Sequence, residues 1–161
     1  MPPALDTQER LCRMKSEELT KQVFLSNARN EQRLADAVAA VLSERGIKVW
    51  NEQEIPPAEV WAKKVEKALE QSDSMIAFLT PHSYSSSVVR NELEHALFND
   101  RFKHRLLPVL IGHASDDFVR LPWILGRMKS LQIRASDPTR RRAKQIAKAF
   151  EDLLRISQAE G

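Results

Sequence analysis

Few side chains in this sequence stand at spacings that chemistry requires. Glu92 and His95 form a Glu-x-x-His pair, the i, i+3 spacing that puts two ligands on one helix face in di-iron bundles, but a second pair and its partner carboxylates are missing. His82, His104 and His113 are scattered without a ligand pattern, so no metal is expected. Cys12 is the one cysteine, and no nucleophile–base pair is visible. Arg140-Arg141-Arg142 falls on the first turn of a helix, where cations oppose the helix dipole. It reads as a solvated face or as a site for an anionic partner. By pattern alone, Glu92 is an acidic residue in the first turns of a helix that complements the dipole.

Apolar periodicity gives the elements that must position these groups. Residues 22–25 read as a buried strand ending in Ser26-Asn27. Residues 31–45 carry Leu34, Val38, Val41 and Leu42 at helical spacing, with Gly46 as the stop. Residues 47–50 form a second strand, and a polar loop with two prolines leads to a helix over 58–71 with Trp61, Val65, Ala68 and Leu69 on one face. Residues 74–80 are nearly continuous apolar, as a strand covered on both faces should be. A Ser-rich loop precedes a helix over 88–100. Strands follow at 106–111, with Pro108 near the start or with its nitrogen turned outward, and at 131–133. Asp137 is expected to cap the last helix and Pro138 to stand in its first turn. Ala143, Ile146, Ala147, Phe150, Leu153 and Leu154 make that helix's buried stripe. Alternating strands and helices predict an α/β fold: a doubly wound, flavodoxin-like parallel sheet of about five strands with helices on both faces. Residues 1–20 are expected to be an arm or short helix, and 21–161 the domain.

Composition narrows the setting. The 161 residues fit one domain, with 42% hydrophobic and 29% charged residues. Net charge is +3, from 25 basic and 22 acidic residues mixed along the chain, so nucleic-acid binding is not implied despite a sequence pI near 9.2. One cysteine cannot form an internal disulfide, the N-terminus lacks an apolar signal segment, and no apolar run approaches the roughly 18 residues of a spanning helix. The expected compartment is the cytoplasm, with no membrane partner.

Among doubly wound folds, several readings fail on residues. Gly46, Gly112, Gly126 and Gly161 are the only glycines, and none follows the first strand, which excludes a dinucleotide fingerprint and a P-loop. A phospho-receiver would want an aspartate after the third strand, where Thr80-Pro81-His82 stands.

Six segments in order remain. They are Val23-Phe24-Leu25-Ser26-Asn27-Ala28-Arg29-Asn30-Glu31; Gly46-Ile47-Lys48-Val49-Trp50 leading to Glu54-Ile55-Pro56-Pro57; and Ala68-Leu69-Glu70-Gln71-Ser72-Asp73 before the third strand. Then come Ser85-Ser86-Ser87-Val88-Val89-Arg90-Asn91-Glu92-Leu93; Leu107-Pro108-Val109-Leu110-Ile111; and Leu121-Pro122. Over about residues 21–135 this order resembles a TIR (Toll/interleukin-1 receptor) domain, and specifically bacterial-type standalone TIR proteins that cleave NAD. The fourth segment resembles the family's Ser-x-Trp-x-x-x-Glu-Leu element, with Val88 in place of Trp. The loop after the second strand, the family's BB loop, reads Ala58-Glu59 where Gly-Asp is usual, and is about one residue short.

The resemblance implies a function. Enzymatic members cleave NAD between nicotinamide and ribose, as NAD nucleosidases in immune or antiviral defence signalling. It makes Glu92 the catalytic residue, with NAD as substrate and no separate cofactor. One carboxylate suffices because the nicotinamide is already a cationic pyridinium and departs neutral, so no general acid is needed, unlike ordinary glycosides. The carboxylate would stabilise an oxocarbenium-like ribose. Ser26, Asn27, Arg29, Trp50 and Ser86 are the candidate substrate contacts. Against these stand a solvated loop arginine, turn-bonding Ser26 and Asn27, a core Trp50, and helix capping by residues 85–87. The product would be ADP-ribose or a cyclic form. The alternative is a non-enzymatic adaptor that acts by TIR–TIR self-assembly, with Pro56 and Pro57 stiffening its loop. A nucleoside-processing hydrolase or transferase lacks a matching second motif. An activator or effector protein encoded elsewhere is an expected partner.

Overall fold

All six residues of Ser74–Leu79 are buried, as a strand with both faces covered requires. The computed structural model describes residues 19–51, 58–80, 87–112 and 127–160. In chain order it contains β1 (Val23–Ser26), α1 (Gln32–Glu44), β2 (Val49–Trp50), α2 (Ala58–Gln71), β3 (Ser74–Leu79), α3 (Ser87–Leu97), β4 (Leu106–Ile111), β5 (Leu131–Ile133) and α4 (Thr139–Glu160). The strands form one sheet in the order β2-β1-β3-β4-β5, every pair parallel. This is the doubly wound, flavodoxin-like order expected from the alternation of elements, and its topological switch lies between β1 and β3.

Strand alternation sorts the core into two layers. Val23, Leu25, Ile76, Phe78 and Val109 pack with α1 and α4 through Leu34, Val38, Ile146 and Phe150. Phe24, Met75, Ala77, Leu79 and Leu106 pack with α2 and α3 through Val65, Leu69, Val89 and Leu93. The whole expected stripe of α4 is buried.

Both sheet edges are short: β2 has two residues and β5 three. β2 is shorter than expected because Ile47 is taken up in ending α1. Gly46 N–H donates to Ser43 O (3.0 Å) and Ile47 N–H to Leu42 O (3.1 Å), the paired bonds of a Schellman stop. Gly46 has φ 83°, a conformation that favours glycine. Pro108 is the third residue of β4; the β5 ladder starts one residue later, at Val109↔Leu131, so β4 is paired on one side alone at the proline.

α4 begins one residue later than expected. The Pro138 carbonyl accepts its first hydrogen bond, from Arg142 N–H at 3.0 Å, so Pro138 rather than Asp137 holds the capping position. Arg140 and Arg141 are exposed, but Arg142 is half-buried beside Glu31. Burial raises the Glu31 carboxyl above its usual range, and Arg142 partly opposes this.

The chain enters β1 through a polar knot. The Asp73 carboxylate accepts from Thr20 Oγ1, Lys21 N–H (3.0 Å), Gln22 N–H (3.4 Å) and Arg105 Nη1 (3.3 Å). Leu19 and Thr20, assigned from sequence to the arm, are both buried, Leu19 within the α1/α4 core. The rest of residues 1–20, with Cys12, lies outside the described residues, as do residues 52–57, 81–86 and 113–126.

Candidate active site

α3 is built on a buried stripe of Val89, Leu93 and Ala96. Glu92 falls on the same stripe, at i+3 from Val89 and i+4 before Ala96, and is only 4% exposed. An apolar residue is the ordinary occupant of such a position, and a carboxylate there is costly unless it is held. Glu92 does have an interaction partner. It stands in the second turn of α3 rather than the first, beyond the reach of the helix-start dipole, so dipole complementation does not account for it.

Glu92 lines a groove of about 490 Å³ between α2 and α3. Ala62, Val65 and Leu69 supply its apolar wall; Glu66, Glu70, Ser87, Asn91 and His95 supply its polar groups alongside Glu92. Among the described residues no lysine or arginine lines it, so the described lining is acidic. Glu66 and Glu70 are an i, i+4 pair beside the α2 stripe, a spacing visible in the sequence but not recognised there as a site.

His95 sits one turn below Glu92. Its ring meets Phe102 edge-on at 5.8 Å, and its Nε2 is buried without a hydrogen-bond partner among the described residues. Burial pushes the imidazole below its ordinary value of 6.5, Arg101 pushes the same way, and Glu70 opposes them. The folded chain therefore keeps His95 neutral where the unfolded chain protonates it. The unfolded state then binds more protons, so this site makes stability fall as pH drops through 6.5, the loss being complete below the folded value. Urea midpoints measured between about pH 5 and 8 should fall less toward acid in His95→Gln than in wild type; identical slopes would remove His95 from the pH dependence.

The other sequence-derived candidates gather at the carboxyl ends of β1 and β2. Ser26 is fully buried opposite Ala77, and by alternation it shares the α2/α3 side of the sheet with Phe24. Its Oγ has no hydrogen-bond partner among the described residues. Asn27 Nδ2 donates to Ala28 O (3.0 Å) and Gln32 Oε1 (3.1 Å). Trp50 is half-buried, its ring stacked on Phe24 at 4.6 Å and 12°. Arg29 opens a short 3-10 turn over Arg29–Glu31, its side chain outside the described set. Ser86 and the side chains of Trp61 and Val88 also lie outside it. Ser26, Trp50 and α3 thus share one face of the sheet, but Ser26, Asn27 and Trp50 do not line the Glu92 groove. Among the described residues, no group of three or more His, Cys, Asp or Glu side chains could hold a metal ion.

A sheet in this order, with a carboxylate on the helix after β3, narrows the family, and a family model described as TIR domain matches residues 23–152. The chain belongs to the TIR domain family. Two solved structures share the fold of this TIR domain. One is a metazoan TIR-STING receptor from C. gigas in complex with 2',3'-cGAMP, with TM-score 0.62 and 22% identity over 80% of this chain; the chain spans 39% of that protein. The other is the TIR domain of a Toll-related receptor from Hydra magnipapillata, with TM-score 0.58 and 18% identity over 81% of this chain and 96% of that one. No curated protein matches the TIR chain. Among the described residues of the TIR domain, no helix is long and apolar enough to cross a membrane.

Proposed function

We propose that this TIR domain cleaves NAD at the nicotinamide–ribose bond, with Glu92 as the catalytic carboxylate, in a defence or signalling role. The supporting observation is a buried carboxylate on the core stripe of α3 that opens into a groove. The acidic groove suits the cationic nicotinamide ribose end of the substrate. As the glycosidic bond breaks, its electron pair leaves with nicotinamide, which departs neutral. Glu92 stabilises the positive ribosyl centre until water adds and releases a proton, giving ADP-ribose; capture by the adenine end gives a cyclic product instead. The substrate's diphosphate is repelled by the groove's carboxylates and needs a cation elsewhere. Arg29, in the turn after β1, is the candidate.

The test is nicotinamide release from NAD by the purified chain at high protein concentration, beside Glu92 variants. Absence of release, even from assembled protein, favours the second reading: an adaptor acting by self-assembly, for which Phe98, 87% exposed at the end of α3, offers an apolar anchor.

Ser26 supplies a separate prediction. A fully buried hydroxyl without a partner costs about 1–3 kcal/mol, so Ser26→Ala should leave stability unchanged or raise it. If the hydroxyl bonds substrate, nicotinamide release should drop about fivefold or more in the same variant. A variant that is destabilised and fully active would remove Ser26 from the site.

A further inference from the structure

A closed set of side-chain hydrogen bonds joins the loop after β1 to the residue that follows β2. Gln32, the first residue of α1, accepts from Asn27 Nδ2 (3.1 Å) through Oε1. Its Nε2 donates to Asp36 Oδ1 (2.8 Å) and Asn51 Oδ1 (3.1 Å). Asn51 Nδ2 donates to the same Asp36 oxygen (2.7 Å). Gln32 and Asn51 each accept with the oxygen and donate with the nitrogen, and Asn27 donates through Nδ2, so flipping any one would place like groups together. Asp36 adds an ionised acceptor shared by two donors, the stronger kind of hydrogen bond.

The backbone explains why this link matters. β2 is an edge strand held to β1 only at Val23↔Val49 and Phe24↔Trp50. Asn51 comes directly after the last of these pairs, at the root of the loop between β2 and α2. The side chains therefore continue the β1–β2 connection past the point where the ladder ends.

We propose that Gln32 and Asp36 are positioning residues. Together they form a clasp that locks Asn51, directly after β2, to the β1–α1 loop and so fixes the spacing of the carboxyl ends of β1 and β2. Its effect on catalysis rests on the NAD-cleaving reading, but its effect on the loop does not. The clasp touches no reacting atom, so it acts on substrate affinity.

The test compares Asp36→Ala with Asp36→Asn, at an exposed position where folding is not at risk. Hydrogen exchange at the Asn51 amide should accelerate about fivefold or more in Asp36→Ala, as expected for loss of one or two such bonds. Asp36→Asn keeps the acceptor oxygen and should restore most of the protection, and exchange at Leu107 in the core should not move in either variant. The KM for NAD should rise about threefold to tenfold in Asp36→Ala with kcat within twofold. Unchanged exchange at Asn51, or faster exchange with unchanged KM, overturns the proposal. If the wild-type chain cleaves no NAD, the NAD-cleaving reading fails, and the exchange measurement alone decides whether the clasp exists.

Discussion

Glu92→Gln should release nicotinamide from NAD about 100- to 1,000-fold more slowly than wild type, the usual cost of removing one preorganised electrostatic stabiliser. The amide keeps the shape of the side chain and loses the charge that opposes the developing positive ribose. Thermal midpoints of the two proteins should agree within a few degrees, which separates chemistry from folding. Glu66→Gln and Glu70→Gln are the controls. Both carboxylates line the same groove, but both residues are exposed on α2 rather than held on a core stripe. Each should cost less than about tenfold, the scale of a solvent-screened charge. If Glu92→Gln keeps more than a tenth of the activity, or if Glu66→Gln is the more damaging change, the catalytic assignment is wrong.

Phe24→Ala should cost about 3–5 kcal/mol of folding stability, a large part of the roughly 5–15 kcal/mol typical of a domain. Phe24 is fully buried in a central strand, packs among the residues of the α2/α3 layer and carries the stacked ring of Trp50. Removing it leaves a cavity beneath α3 and takes away the platform under Trp50. The measurement is equilibrium urea unfolding, compared with Phe24→Leu, which fills most of the space and should cost much less. A loss below about 1 kcal/mol for the alanine variant would mean that the sheet relaxes around the gap.

These two predictions draw on different levels of the sequence. The sheet was legible because parallel strands covered on both faces leave continuous apolar runs, as in Met75-Ile76-Ala77-Phe78-Leu79. The stripe of α4 was legible because six buried positions repeat at the helical period. Element ends were harder to place. α3 stops at Leu97 rather than near residue 100, because the Asn99 side chain accepts from Arg101 N–H (3.1 Å) and starts a separate 3-10 turn, Asp100–Phe102.

At the candidate site, the resemblance singled out Glu92, but its physical peculiarity was also within reach: Val89, Glu92, Leu93 and Ala96 share one face, and a carboxylate is out of place there. The clasp could not be read, since Gln32 and Asn51 meet only after β1 and β2 have paired. Nothing local in Gln-Arg-Leu-Ala-Asp marks its first and last side chains as neighbours of a residue 19 and 15 positions away.

The shortness of β2 and β5 bears on how copies of this domain could join. A sheet grows into a neighbour by offering a long row of unpaired N–H and C=O groups at its margin, and short edge strands blunt that route. Here one margin presents two residues and the other three, too few rungs to hold a second chain. Any assembly of this TIR domain would therefore have to run through helices, loops and side chains. Solutions of it should not seed cross-β fibrils.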